Sequence, residues 1–177
     1  MQLLHTRKTQ IDCWLTDDGR YQAEGIIDDD KGVRMLTYSG KEIQPGGDLH
    51  TMRVVLLVNR SLIIEHAEIE MIDVPGDECM GACASPESLV GLSVTRGYTS
   101  GLKERIGGTK GCAHVFALLQ QMGAAITQGA FTDPQNREHD QLQSWQPLIN
   151  TCHTWREDGP IVTERRQQTI TTHNKEP

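Results

Sequence analysis

Residues 50–72 read HTMRVVLLVNRSLIIEHAEIEMI. Two runs rich in β-branched and aliphatic residues flank the polar link Asn59 to Ser61. The link is too short for anything but a direct return, so HTMRVVLLVN and SLIIEHAEIEMI are expected to pair as antiparallel strands. Upstream, TQIDCWLTDDGRYQAEGIIDD carries Asp18-Gly19 between two loosely alternating flanks, the signature of a second hairpin. VRMLTYS, residues 33–39, reads as a weaker strand, and GKEIQPGGD as a turn-rich connection.

Downstream the period changes from two to about 3.6. In VFALLQQMGAAI the residues Val115, Leu118, Leu119, Met122 and Ile126 recur at three- and four-residue spacing, so one helical face is apolar. GYTSGLKERIGG reads as a short helix ended by glycines. Ser85 and Pro86 can open another short one. QLQSWQPLINTCHTW reads as helix broken at Pro147, and GPIVTERR as a final strand or loop. Strands first and helices second define an α+β fold: an N-terminal antiparallel sheet of about 4–6 strands packed against C-terminal helices. The expected organisation is one domain over residues 1–166 and a polar, unstructured tail over 167–177.

The chain has 177 residues, a net charge of −7 and a pI near 5.4, with 37% hydrophobic and 5% aromatic residues. The charge argues against a nucleic-acid partner, which wants a positive patch. No apolar run approaches the roughly 20 residues of a membrane span. MQLLHTRKTQ is too polar for a secretory signal, so the expected compartment is the cytoplasm. There are five cysteines, Cys13, Cys79, Cys83, Cys112 and Cys152. An odd number in such a chain fits metal binding, thiol chemistry or burial better than a disulfide framework.

GGTKGCAH, residues 107–114, brings a cysteine and a histidine to the mouth of the best helix. Free amides there stabilise a thiolate, which suits a nucleophile or a metal ligand. Two helical steps turn Cys112 and His114 to nearly opposite sides, so they converge on one ion only if Cys112 precedes the first turn. Packing of Cys112 among Val115, Phe116 and Leu119, with His114 exposed, is the plain alternative. GDECMGAC places Cys79 and Cys83 at a permissible but undiagnostic ligand spacing. His50 opens a strong strand, and adjacent Cys152 and His153 point apart. Cys13 reads as structural. The acidic runs TDDG and IDDDKG read as solvated turns. Hydrolase, zincin, phosphate-loop and dinucleotide motifs do not occur.

Two resemblances add to these readings. DGRYQAEGIIDD, GGDLHTM, SLVGLSVTRGY, GGTKGCAHVFALL and TCHTWREDG together resemble the bacterial domain of unknown function 2889 family across most of residues 10–163. That resemblance implies membership but no activity. More remotely, residues 46–126 resemble the U-type iron–sulfur cluster scaffold fold. Aligning Met52 with that family's methionine puts His50 at its ligand aspartate and Asp48 at its first cysteine. Cys79 or Cys83 falls in the second ligand place, and KGCAHVFALL where a His-Cys pair opens a helix. The first cysteine is missing, and the Cys-His order is reversed with one residue between.

The scaffold resemblance implies a metal site formed by His50, Cys79, Cys112 and His114 at one end of the sheet, with Cys83, Asp48 and Cys152 in reserve. Zinc or iron suits these donors, rather than an iron–sulfur cluster. Three functions stay open: a metal-binding protein acting structurally or on a small-molecule substrate; a thiol enzyme with Cys112 as nucleophile and His114 or His50 as base; and a non-catalytic interaction module. The oligomeric state is not encoded in any of these features.

Overall fold

The computed structural model describes residues 1–81, 85–134 and 145–173, which fall into two compact units, residues 1–130 and 131–177. Six strands open the first unit: β1 (His5–Leu15), β2 (Tyr21–Lys31), β3 (Met35–Leu36), β4 (Glu42–Ile43), β5 (Gly47–Val58) and β6 (Ile64–Asp73). Three α-helices follow among the described residues, α1 (Glu78–Gly81), α2 (Tyr98–Ile106) and α3 (Ala113–Thr132), with 3-10 turns at Pro86–Leu89 and Gly108–Lys110. The expected α+β architecture is present, with four strands in the main sheet.

The sheet has the order β1-β2-β5-β6, antiparallel throughout, and β3 and β4 form a separate small hairpin. The weak strand over 33–39 thus shrinks to two residues, and its partner lies inside the segment read as a connection. The first hairpin turns through a wider loop than a two-residue turn. The Thr16 amide donates to the Arg20 carbonyl, the Arg20 amide donates to Thr16 Oγ1, and Gly19 adopts φ +83°. Asn59 Oδ1 accepts from the Ser61 and Ile63 amides and holds the β5–β6 link.

Alternation fixes which face is buried. On β2, Tyr21, Ala23, Gly25, Ile27 and Asp29 all point to the buried face. The same face of β5 carries Met52, Val54, Leu56 and Val58 at two-residue steps where the pairing is regular, each shielded from solvent. Helix α3 contributes the five residues foreseen from its periodicity, all buried. Each such aliphatic side chain contributes about 1.5–3 kcal/mol on leaving water.

Close approach of α3 to the sheet and to α2 rests on glycines. A Cβ on Gly25 would stand 2.8 Å from Met122 Sδ, and one on Gly123 would stand 2.5 Å from the Tyr98 ring. Cys13 packs against the core from β1, in keeping with its structural reading. Burial raises its thiol pKa.

In the second unit, Trp145 and Trp155 stack at 6.5 Å between ring centroids. Helix α4 (Pro160–His173) occupies the segment read as strand or loop and continues to His173. Pro160 stands at its first position, where a missing amide costs nothing. Residues 141–144 of the expected Pro147-broken helix, and 174–177 of the tail, lie outside the described residues; Gln146–Leu148 is a 3-10 turn.

Candidate metal centre

Asp29 is the centre of the site. It is 1% exposed, so the reading of IDDDKG as a solvated turn is corrected: these residues continue β2. The parity that buries Ile27 also buries Asp29. The ladders set Arg7 of β1 opposite Asp29 and Asp29 opposite His50 of β5, a single row across three strands. A bulge follows, with the pairing resuming at Asp30 and Asp48. It ends the regular pleat next to the row, as bulges beside functional sites do.

Arg7 binds Asp29 through both prongs of its guanidinium, Nε to Oδ1 and Nη2 to Oδ2, each at 2.6 Å. Burial by itself raises the Asp29 carboxyl pKa. The Arg7 hydrogen bonds and charge outweigh it, and the carboxyl ends below its ordinary value. His5 Nε2 reaches Oδ1 at 3.3 Å from the rim of the sheet.

Two further histidines meet Oδ2. His50 Nδ1 lies 3.5 Å away, and His114 Nε2, from the first turn of α3, lies 3.3 Å away. Their rings stack with centroids 4.0 Å apart and planes inclined by 28°. The His50 contact lacks hydrogen-bond geometry, so His50 Nδ1 is buried without a hydrogen-bond partner among the described residues. Burial, then the neighbouring His114, lowers the His50 pKa to about 4; burial lowers that of His114 as well. Both imidazoles are therefore neutral near pH 7, with ring-nitrogen lone pairs available.

One donor from each of Asp29, His50 and His114 lies within 4.8 Å of the others, the grouping among the described residues that could hold a metal ion. The remaining candidates lie around or apart from it. Cys112 is half-buried against the core, with Sγ 3.6 Å from His114 Nδ1, on the ring edge turned away from Asp29. Its carbonyl accepts the first bond of α3, from the Phe116 amide at 2.9 Å. Cys79, in α1, has Sγ 3.5 Å from the Tyr38 hydroxyl. Asp48 pairs with Asp30, and that shared hydrogen bond raises the Asp48 pKa. Cys152 is exposed in the second unit, and Cys83 lies outside the described residues.

His50 and His114 thus come together, on a carboxylate the sequence reading passed over. One signal pointed to Asp29: it shares parity with Ala23, Gly25 and Ile27. The register that sets the cation Arg7 opposite it follows from the wider Thr16–Arg20 loop, since a two-residue turn at Asp18-Gly19 would have placed Lys8 there.

The family model described as "Protein of unknown function (DUF2889)" matches residues 5–128. The chain belongs to the DUF2889 family. The matched span contains every residue of the Asp29 cluster, including His5 at its first position. No curated protein and no solved structure matches this DUF2889 chain. No described helix is long and apolar enough to cross a membrane.

Proposed function

We propose that the protein binds a divalent transition-metal ion, zinc or ferrous iron, through Asp29 Oδ2, His50 Nδ1 and His114 Nε2. The observation that carries this reading is the buried His50 Nδ1, without a hydrogen-bond partner among the described residues and 3.5 Å from Asp29 Oδ2. Leaving such an atom unsatisfied costs roughly 1–3 kcal/mol; a bound cation removes that cost. Donors 2.0–2.1 Å from a tetrahedral zinc ion stand about 3.3 Å apart. The two contacts to Oδ2, 3.5 and 3.3 Å, lie close to that edge. Two imidazoles and a carboxylate are also the donors of open ferrous sites. The set contains no thiolate, the ligand an iron–sulfur cluster requires.

In this reading Cys112 acts behind the metal. His114 Nδ1–H points at its sulfur, which fixes the tautomer that presents Nε2 to the ion. Three protein donors leave at least one position for water or a small-molecule substrate, which the ion would polarise. The test is elemental analysis and absorption spectroscopy of protein purified without oxygen from cells supplied with zinc and iron. One equivalent of metal, lost in His50→Ala and His114→Ala, is expected; a metal-free protein would defeat the reading.

A second reading has its own observation. Cys112 Sγ, His114 and Asp29 Oδ2 line up at 3.6 and 3.3 Å, the order of nucleophile, base and orienting carboxylate. Thiol alkylation separates the two. A nucleophile would react with iodoacetamide far faster than Cys152, and a sulfur behind a bound metal would not.

A further inference from the structure

Resting on the metal reading, we propose that the ion held by Asp29, His50 and His114 takes a small oxyanion at its open position. The charge balance around the site leads there. Arg7 already neutralises Asp29 through two hydrogen bonds. An imidazole that donates a ring-nitrogen lone pair to a metal is a neutral ligand, so His50 and His114 would cancel none of the ion's charge. A dication among these groups therefore keeps close to its full charge, and the open position favours an anionic ligand over a neutral one.

The surroundings reinforce this. Lys31 Nζ lies 3.4 Å from His5 Nδ1, and His5 in turn touches Asp29. Arg7 and Lys31 both bear electrostatically on His50 and His114. The other acids of the strand, Glu24, Asp28 and Asp30, alternate toward the opposite face, where Lys8 meets Asp30 at 3.0 Å. His114 stands in the first turn of α3, ahead of the first intrahelical bond at Phe116. Amides in that turn point outward and carry partial positive charge. In a chain with net charge −7, this corner gathers positive charge around one buried carboxylate. Metal coordination supplies the bond, and the ion's uncancelled charge, with Lys31 and the helix end, supplies the field that selects charge.

Cobalt(II), whose visible spectrum reports its coordination, tests both levels on the full chain. Cobalt is titrated first, then acetate or inorganic phosphate, with neutral acetamide as the control. Expected are one equivalent of cobalt and a saturable spectral change with either oxyanion but not with acetamide. Lys31→Gln removes one nearby charge from a partly exposed position. It should weaken acetate binding roughly threefold while cobalt still binds. No cobalt spectrum at all would overturn the metal site and this proposal with it. Cobalt bound at one equivalent, but blind to acetate and phosphate or equally responsive to acetamide, would overturn the oxyanion proposal and leave the metal site standing.

Discussion

Asp29 and His50 face each other across the β2–β5 ladder, with Nδ1 3.5 Å from Oδ2 and both side chains on the buried side of the sheet. That pairing puts a carboxylate and a neutral imidazole where the hydrophobic core ends, and His114 completes the group from above.

Acid should weaken the metal-free fold earlier than carboxylate titration alone would. His50 is held near pKa 4 in the folded chain, against an ordinary 6.5. Between those values the unfolded chain binds a proton that the folded chain refuses, so stability rises with pH across the window. The loss on acidification from pH 6.5 to 4 is up to about 3 kcal/mol. The lowered His114 pKa acts in the same direction. The depressed Asp29 carboxyl adds a further loss as pH falls through its folded value, below the ordinary 3.8. Urea titrations at a series of pH values check this. His50→Leu should flatten the slope above pH 4; an unchanged slope would mean that His50 titrates normally.

Arg7→Met should destabilise the protein by on the order of 3 kcal/mol, because a buried carboxylate loses the cation that balances it. Arg7→Lys should recover only part of this, since an ammonium cannot reproduce the two-pronged contact. Chemical denaturation of both variants at pH 7 decides. Equal stability of Arg7→Met and the parent would mean that the pair has no structural role.

Cys112→Ser and Cys79→Ser should both retain one equivalent of metal. Cys112→Ser should bind it roughly 10–100-fold more weakly, as loss of a group orienting a ligand does, and Cys79→Ser should match the parent. Competition with a chromophoric chelator gives the affinities. Complete metal loss in either variant would make that sulfur a ligand.

Gly123→Ala should cost about 1–3 kcal/mol, the usual range for forcing a methyl group into a filled interface. Its Cβ would meet the Tyr98 ring at 2.5 and 2.6 Å and the Val94 carbonyl oxygen at 3.1 Å. Gly25→Ala should be milder, since its nearest neighbour at 2.8 Å is the flexible thioether of Met122. Thermal melts of the two variants should rank them in that order.

Much of the fold could be read from local pattern. The 50–72 hairpin and the helix after Cys112 were legible because each has a clear period, two or 3.6, that one packed face enforces. The last helix was not. Pro160-Ile-Val-Thr has β-branched residues that suit a strand, and nothing local outvotes them. The site was half legible. His50 and His114 stood out as chemistry-bearing residues beside strong elements. Asp29 hid inside an acidic run that resembles a solvated turn, and only its parity with Ile27 betrays it.

The sequence by itself determined the order of elements, the sheet that opens the chain and the apolar face of α3, because those depend on spacing within one segment. Only the tertiary structure decided which donors meet. Register across β1, β2 and β5 brings Arg7, Asp29 and His50 into one row, and the packing of α3 on that sheet lowers His114 onto it. Those distances depend on residues far apart in the chain and on a bulge that no short segment encodes.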